Sequence, residues 1–377
     1  MLTSGRQDWG ILRSLCLELG SRPGLELRLL VGGMHCSRRF GHTARLIAEE
    51  GFVAAESLRW IPDDGEVDAI TQAAGALDQV GAALARQQPQ ALVLVGDRFE
   101  TASAALAATL SGVPIAHLHG GEETRGALDN AFRHAITKLS HLHLVSHEDY
   151  RARVIAMGED PSTVHVVGAP GLDNLHREDL ADPGELEAFL GLRLEPPVVL
   201  VTLHPATAGG SPSREAAAVR GAMERVRATY VITLPNSDPG NEPIRAAMAA
   251  AASATPATVT VDALGERRYW GLMRVADAML GNSSSALIEA PAIGLPAVNV
   301  GARQEGRLRG ANVLDAPPEP TAVAEALGRA LEPGFRERLR RLPGPFGDGR
   351  SGARIAAILA GWTPPESLSK PSLEPSA

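Results

Sequence analysis

Carboxylates, imidazoles and guanidiniums fall together in three short stretches of the first half of the chain. Gly96-Asp97-Arg98-Phe99-Glu100 follows the apolar run Ala91–Val95. His117-Leu118-His119-Gly120-Gly121-Glu122 closes the next run, Val113–Leu118, and Asp129-Asn130-Ala131-Phe132-Arg133-His134 opens a helix-prone stretch after it. Acids and bases gathered in this way suit proton transfer, because a carboxylate or imidazole with a tuned pKa can take or give a proton in a transition state. Each group also has a plainer explanation. Asp97 would cap the following helix, and Glu122 would do as a solvated loop carboxylate. Asp129 and Arg133, at i and i+4, would make a surface ion pair worth roughly a few tenths of a kcal/mol. His117 and His119 share one face of a strand and raise zinc, but no third and fourth ligand stand at a familiar spacing. Density favours chemistry: successive strand-end loops all carry such groups.

The second half supplies groups that suit an anion. His204-Pro205-Ala206-Thr207 follows the apolar run Val198–Leu203; a lone loop histidine is more often simply solvated. Gly281-Asn282-Ser283-Ser284-Ser285 leads from a strand into a helix carrying Glu289. Three hydroxyls and free backbone N–H groups at a helix N-terminus make a seat for a diphosphate, and capping accounts for one serine rather than three. Gly301-Ala302-Arg303-Gln304-Glu305-Gly306-Arg307-Leu308-Arg309 then places three arginines in seven positions, either a solvated basic loop or a local counter-charge for a nucleotide. Neither G-x-G-x-x-G, a Walker loop nor G-x-S-x-G is present, so dinucleotide, P-loop and serine-hydrolase chemistry have no footing.

Short apolar runs alternating with amphipathic stretches position these loops, and that alternation is the mark of βαβ units and a parallel sheet. Expected strands in the first series are Glu26–Val31, Ala91–Val95, Val113–Leu118, Leu142–Val145 and Val164–Val167. Helices are expected at Thr43–Glu50, Asp68–Arg86, Thr101–Leu110, Asp129–Ser140 and Glu148–Met157. A polar, helix-prone stretch from Leu172 to Leu192 ends at Pro196-Pro197, and a second series follows: Val198–Leu203, Tyr230–Thr233, Thr258–Val261, Ala276–Leu280 and Ala297–Val300. The fold class is therefore α/β, with two Rossmann-like doubly wound domains, 1–175 and 185–362, facing a cleft. The Pro- and Ser-rich stretch 363–377 is expected to be a disordered tail.

The length, 377 residues, exceeds what one hydrophobic core usually supports, which agrees with two domains. With 36 Lys and Arg against 44 Asp and Glu, a broad nucleic-acid or anionic-membrane surface is disfavoured. Cys16 and Cys36 are too few for a disulfide scaffold, and no apolar run approaches a membrane span, so a cytoplasmic setting is expected.

Taken together, Gly96–Glu100, His117–Glu122, Phe132-Arg133-His134-Ala135-Ile136-Thr137-Lys138, Val167-Gly168-Ala169-Pro170-Gly171, Gly281–Ser285 and Arg303–Arg307 resemble the hydrolysing UDP-N-acetylglucosamine 2-epimerases of bacterial sialic acid synthesis. They also resemble relatives acting on 2,4-diacetamido-trideoxy sugars. The likeness runs in order from about Ser4 to Leu359. It implies a GT-B fold with a UDP-sugar in the interdomain cleft, anti elimination of UDP, and hydration of the glycal with inversion at C2. By motif position Asp97 and Asp129 resemble the family's catalytic acids, and Arg133 and His204 its basic site residues. Ser283, Ser284 and Ser285 match the diphosphate seat, Glu289 the ribose contact and Arg6 an N-terminal phosphate-side arginine. Arg303 and Arg307 would lie near the nucleotide, and Asn236 matches a sugar- or phosphate-side position. His119 stands where several relatives carry a glutamate, so either Glu122 or His119 itself takes that role. Only Met1 and Leu2 precede the segment Thr3-Ser4-Gly5-Arg6, where the family has a full strand, so the true start is expected upstream. No cofactor or metal is implied, since elimination and hydration run on side chains alone; a homo-oligomer, dimer or tetramer, is implied. The rival readings are a non-hydrolysing epimerase, a GT-B glycosyltransferase and a nucleotide-sugar-binding regulator without catalysis.

Overall fold

Two compact α/β units make up the computed structural model, which describes residues 1–63, 67–124, 128–205, 210–235 and 240–370. The first unit carries seven strands: β1 (Leu2–Thr3), β2 (Leu29–Gly32), β3 (Ala54–Leu58), β4 (Leu92–Val95), β5 (Ile115–Leu118), β6 (Leu142–Val145) and β7 (Val164–Val166). They pair in parallel as β1-β2-β3 and β4-β5-β6-β7, with β1 lying beside β4. Strands thus run outward in opposite directions from the β1/β4 junction. In open α/β sheets the carboxyl ends at such a reversal are where ligands bind. Arg6, at the start of the helix after β1, and Asp97, in the loop after β4, follow those two strand ends.

The second unit holds β8 (Val198–Thr202), β9 (Thr229–Thr233), β10 (Thr258–Val261), β11 (Ala278–Gly281), β12 (Ala297–Val300) and β13 (Val313–Ala316). Their order is β10-β9-β8-β11-β12-β13, all parallel, so the reversal falls between β8 and β11. From these two ends come His204 and Asn282–Ser285. Strands such as β8, buried along its whole length, are nearly all Val and Leu because helices cover both faces of the sheet. Val199, Val201, Leu280, Val298 and Val300 meet Ala218, Val219 and Ala326 of the helices Pro212–Met223 and Pro320–Ala330 in one core.

The expected strands form with ends moved by a few residues. Three went unread. β1 is two residues long, while β3 and β13 are half-exposed edge strands whose Glu56 and Asp315 break the apolar pattern.

Two boundary expectations are corrected. The stretch from Gly349 onward belongs to the first unit rather than the second, and Glu123, Thr124 and Leu128 group with the second. The cause is packing and capping. Helix Ser351–Gly361 lays Ile355 and Ala356 against Leu12, Leu15 and Cys16 of helix Arg6–Gly20, and the Asp173 carboxylate accepts from Ser351 N at 2.8 Å and Gly352 N at 2.6 Å.

The tail is not disordered from Thr363 to Lys370. Lys370 Nζ donates to Ser140 O at 2.6 Å and Thr137 O at 3.4 Å, and meets Glu159 Oε2 at 2.6 Å. An ammonium placed on the last carbonyls of helix Asp129–Leu139 is favoured by that helix's dipole, which composition cannot reveal. Residues 371–377 lie outside the described residues. Among the described residues no helix is long and apolar enough to cross a membrane.

If helix Ser351–Gly361 closes the first unit, Ile355→Ala should remove about 2–5 kcal/mol from that unit. Denaturant unfolding checks it, and a wild-type midpoint would contradict the packing.

Candidate active site

In the first unit the strand-end loops converge on one guanidinium. Helix Asp129–Leu139 turns Arg133 inward, and at 1% exposed it is no surface residue. Arg133 Nη2 pairs with the Asp97 carboxylate at the end of β4, and Nη1 donates to Glu122 O at 2.9 Å and to Asn130 Oδ1 at 3.1 Å. A buried charge needs such partners; removing one member of a buried pair typically costs about 3–5 kcal/mol. Arg133 thus forms a buried link between two loops rather than a solvated surface group. Asp129 opens the same helix one turn before Arg133, half-buried.

His119 and Glu122 form the second element of this cluster. Past the end of β5 the chain enters the left-handed region at His119, φ 64°, a conformation costly for a residue with a Cβ and concentrated at functional sites. Gly121, φ 76°, follows; a Cβ there would collide with the Tyr150 carbonyl, so the position requires glycine. The turn brings His119 Nδ1 to 2.6 Å from Glu122 Oε1, which also accepts from Ser146 Oγ at 3.3 Å at the end of β6. Both side chains are buried.

His117, the third residue of β5, is fully buried. Its Nε2 lies 2.8 Å from Gly96 O, and burial pushes the imidazole down to about 4. It is a neutral core group. Arg6 stands in the first turn of the helix after β1, beside β4, with its side chain exposed.

The second unit is organised by a residue the sequence reading passed over. Asn282, fully buried, accepts from His204 N at 2.8 Å through Oδ1 and donates to His204 O at 2.9 Å through Nδ2. Its own carbonyl accepts from Arg303 Nη1 at 3.0 Å and Gln304 Nε2 at 2.7 Å. Three loops, after β8, β11 and β12, are thereby joined at one amide, which brings His204, Ser283 and Arg303 together.

Ser283 Oγ accepts from Ser285 N at 3.3 Å, so it shapes the turn, while Ser284 and Ser285 are half-buried beside it. The helix they start, Ser285–Ile288, is only one turn, so any diphosphate seat relies on hydroxyls and local N–H groups more than on a helix dipole. Glu289 follows it, half-buried, and Arg307 Nε donates to Thr124 Oγ1 at 3.1 Å. Asn236 lies outside the described residues.

Two further groups escaped sequence reasoning. Burial pushes the Tyr269 hydroxyl up to about 12, against the opposing pull of Ser285, Thr202 and Ser283; its helix pattern marks it only as an aromatic. Glu215, in the first turn of helix Pro212–Met223, lies under Gly301, where a Cβ would stand 2.7 Å from Oε1. Burial pushes its carboxyl up to about 7, although Arg303 pulls it down. In sequence it looks like an ordinary acid at a helix start.

The family model described as UDP-N-acetylglucosamine 2-epimerase matches residues 17–360. A Campylobacter jejuni protein named GDP/UDP-N,N'-diacetylbacillosamine 2-epimerase (hydrolyzing) is 31% identical over 318 residues, covering 84% of this chain and 83% of its own. Polysialic acid biosynthesis protein P7 of Escherichia coli is 30% identical over 349 residues, covering 92% and 89%. The crystal structure of the Neisseria meningitidis UDP-GlcNAc 2-epimerase bound to UDP-GlcNAc superposes with a TM-score of 0.82 at 17% identity, over 96% of this chain and 98% of that one, and shows the shared GT-B fold.

The Glu215 environment carries a pH dependence of stability. Because the folded value of about 7 lies above the ordinary 4.5, the neutral carboxyl's contribution is complete below about pH 4.5 and is lost as pH rises through 7. Glu215→Gln, neutral throughout, should match the wild type in acid and exceed it by about 3 kcal/mol above pH 8. Thermal unfolding across pH reads this, and a constant gap would contradict it.

Proposed function

The chain belongs to the UDP-N-acetylglucosamine 2-epimerase family, and from that premise we propose that it is a hydrolysing member, releasing UDP and a free amino sugar inverted at C2. The substrate is UDP-N-acetylglucosamine or a 2,4-diacetamido-trideoxy UDP-sugar. The observation that carries the reading is the buried network joining Asp97, Arg133 and the His119–Glu122 loop. A protein that only binds a nucleotide sugar has little use for several acids and an imidazole fixed together. The names of the Campylobacter relative and of a Legionella pneumophila relative, 30% identical over 360 residues, both specify hydrolysis, which favours water over return of the UDP-sugar.

In this mechanism a base removes the C2 proton, the C2–H pair forms the C1=C2 bond, and the C1–O bond breaks with its electrons leaving on UDP. Water then adds across the glycal, hydrogen to C2 on the opposite face and hydroxyl to C1. The first unit supplies Asp97, Asp129, His119 and Glu122 for proton transfer, with Arg133 fixing the first of them. The second supplies Ser283, Ser284 and Ser285 with Arg303 for the diphosphate and Glu289 for the ribose, while His204, Arg6, Arg307 and Asn236 complete the contacts. No cofactor or metal enters. An oligomer of identical chains and a location in the cytoplasm belong to the same proposal.

NMR of the protein with UDP-N-acetylglucosamine in heavy water should show free UDP and C2-deuterated N-acetylmannosamine. Appearance of a UDP-linked epimer would instead make the enzyme non-hydrolysing. Asp97→Asn and Asp129→Asn should each lower turnover by about 100-fold or more, the scale of a lost acid or base, while UDP titrations change little. Retained turnover with lost UDP affinity would contradict these roles.

A further inference from the structure

We propose that His119 and Glu122 act as one acid–base unit, in which Glu122 fixes the imidazole tautomer and His119 Nε2, not the Glu122 carboxylate, takes the proton from C2. This rests on the elimination described above, and it decides between two residues the sequence left as alternatives.

Glu122 directs Oε1 at His119 Nδ1, 2.6 Å away, and receives Ser146 Oγ on the same oxygen at 3.3 Å. A carboxylate has no proton to give, so the short contact requires the proton on Nδ1; in the neutral imidazole the lone pair is then on Nε2. Among the described residues His119 Nε2, itself buried, has no hydrogen-bond partner, an arrangement that disfavours a resting N–H there.

The loop carrying the pair is held from several sides. His119 N donates to Leu144 O at 3.2 Å, Arg153 Nη1 donates to Gly121 O, and Arg133 Nη1 donates to Glu122 O at 2.9 Å. A residue in the left-handed region persists only where surrounding contacts determine it, and these do. Arg153 is therefore a positioning residue that no motif had singled out. When Nε2 takes the C2 proton, the C2–H electrons form C1=C2, the C1–O bond electrons leave with UDP, and Glu122 stabilises the imidazolium until the proton passes to water.

The decisive measurement needs no substrate. In protein labelled with 15N-histidine, at a pH well above the ordinary imidazole value, the His119 signals, assigned by their loss in His119→Gln, should show a proton on Nδ1 and a bare Nε2. A proton on Nε2 would overturn the proposal whether or not the enzyme turns over. Kinetics supply a second readout a merely structural role would not move. His119→Gln and Glu122→Gln should lower kcat, His119→Gln by about 100-fold or more, with KM and UDP affinity nearly unchanged. The double variant should be no slower than His119→Gln alone, since one unit can be lost only once. Loss of turnover in Glu122→Gln with turnover kept in His119→Gln would place the carboxylate on the substrate instead. Absence of turnover in the wild type on either UDP-sugar would count against the proposed reaction, and leave the tautomer result standing.

Discussion

A single buried cation, the guanidinium of Arg133, holds the first unit's site together. Without it the Asp97 carboxylate and the Glu122 carbonyl, on loops that follow the paired strands β4 and β5, would present like partial charges to one another in a space with little water. Its planar fork serves both at once, which a lysine ammonium would not do with the same geometry. The helix Asp129–Leu139 that carries it must therefore be fixed in rotation and along its axis. Ile136, fully buried, packs its inner face, and Lys370 and Lys138 reach acceptors around its C-terminal end.

The second unit reaches the same end around a neutral residue. Asn282 binds the His204 peptide through both ends of its side chain and gathers Arg303 and Gln304 on its own carbonyl. An amide suits that place because it donates and accepts together, where a carboxylate in its position could only accept and would repel the His204 carbonyl. The two units thus use different chemistry for one task, tying loops from neighbouring strand ends into a fixed set.

Much of this was legible in the residues. The strands Leu142–Val145, Thr258–Val261 and Ala297–Val300 form where the sequence pattern places them. Asp97, Glu122 and Arg133 were readable as a group because they crowd successive strand ends, and the structure joins them. What stayed hidden depends on contacts distant in sequence. Helix Ser351–Gly361 has no local sign that its partner lies far back along the chain in helix Arg6–Gly20. Asn282 looked like a spacer before three serines. His117 and His119 looked alike by alternation, and only the left-handed turn at His119 separates a neutral core imidazole from one facing Glu122.

The return of the last helix to the first unit also orders events during synthesis. All of the second unit's main stretch, Asn174–Asp348, lies between two parts of the first. A nascent chain ending at Asp348 carries that stretch whole, while the first unit still lacks the helix that covers Leu12 and Leu15. Folding on the ribosome, usually led by the N-terminal domain, is here finished by it. Until the closing helix emerges, an apolar face of the N-terminal half stays open to chaperones.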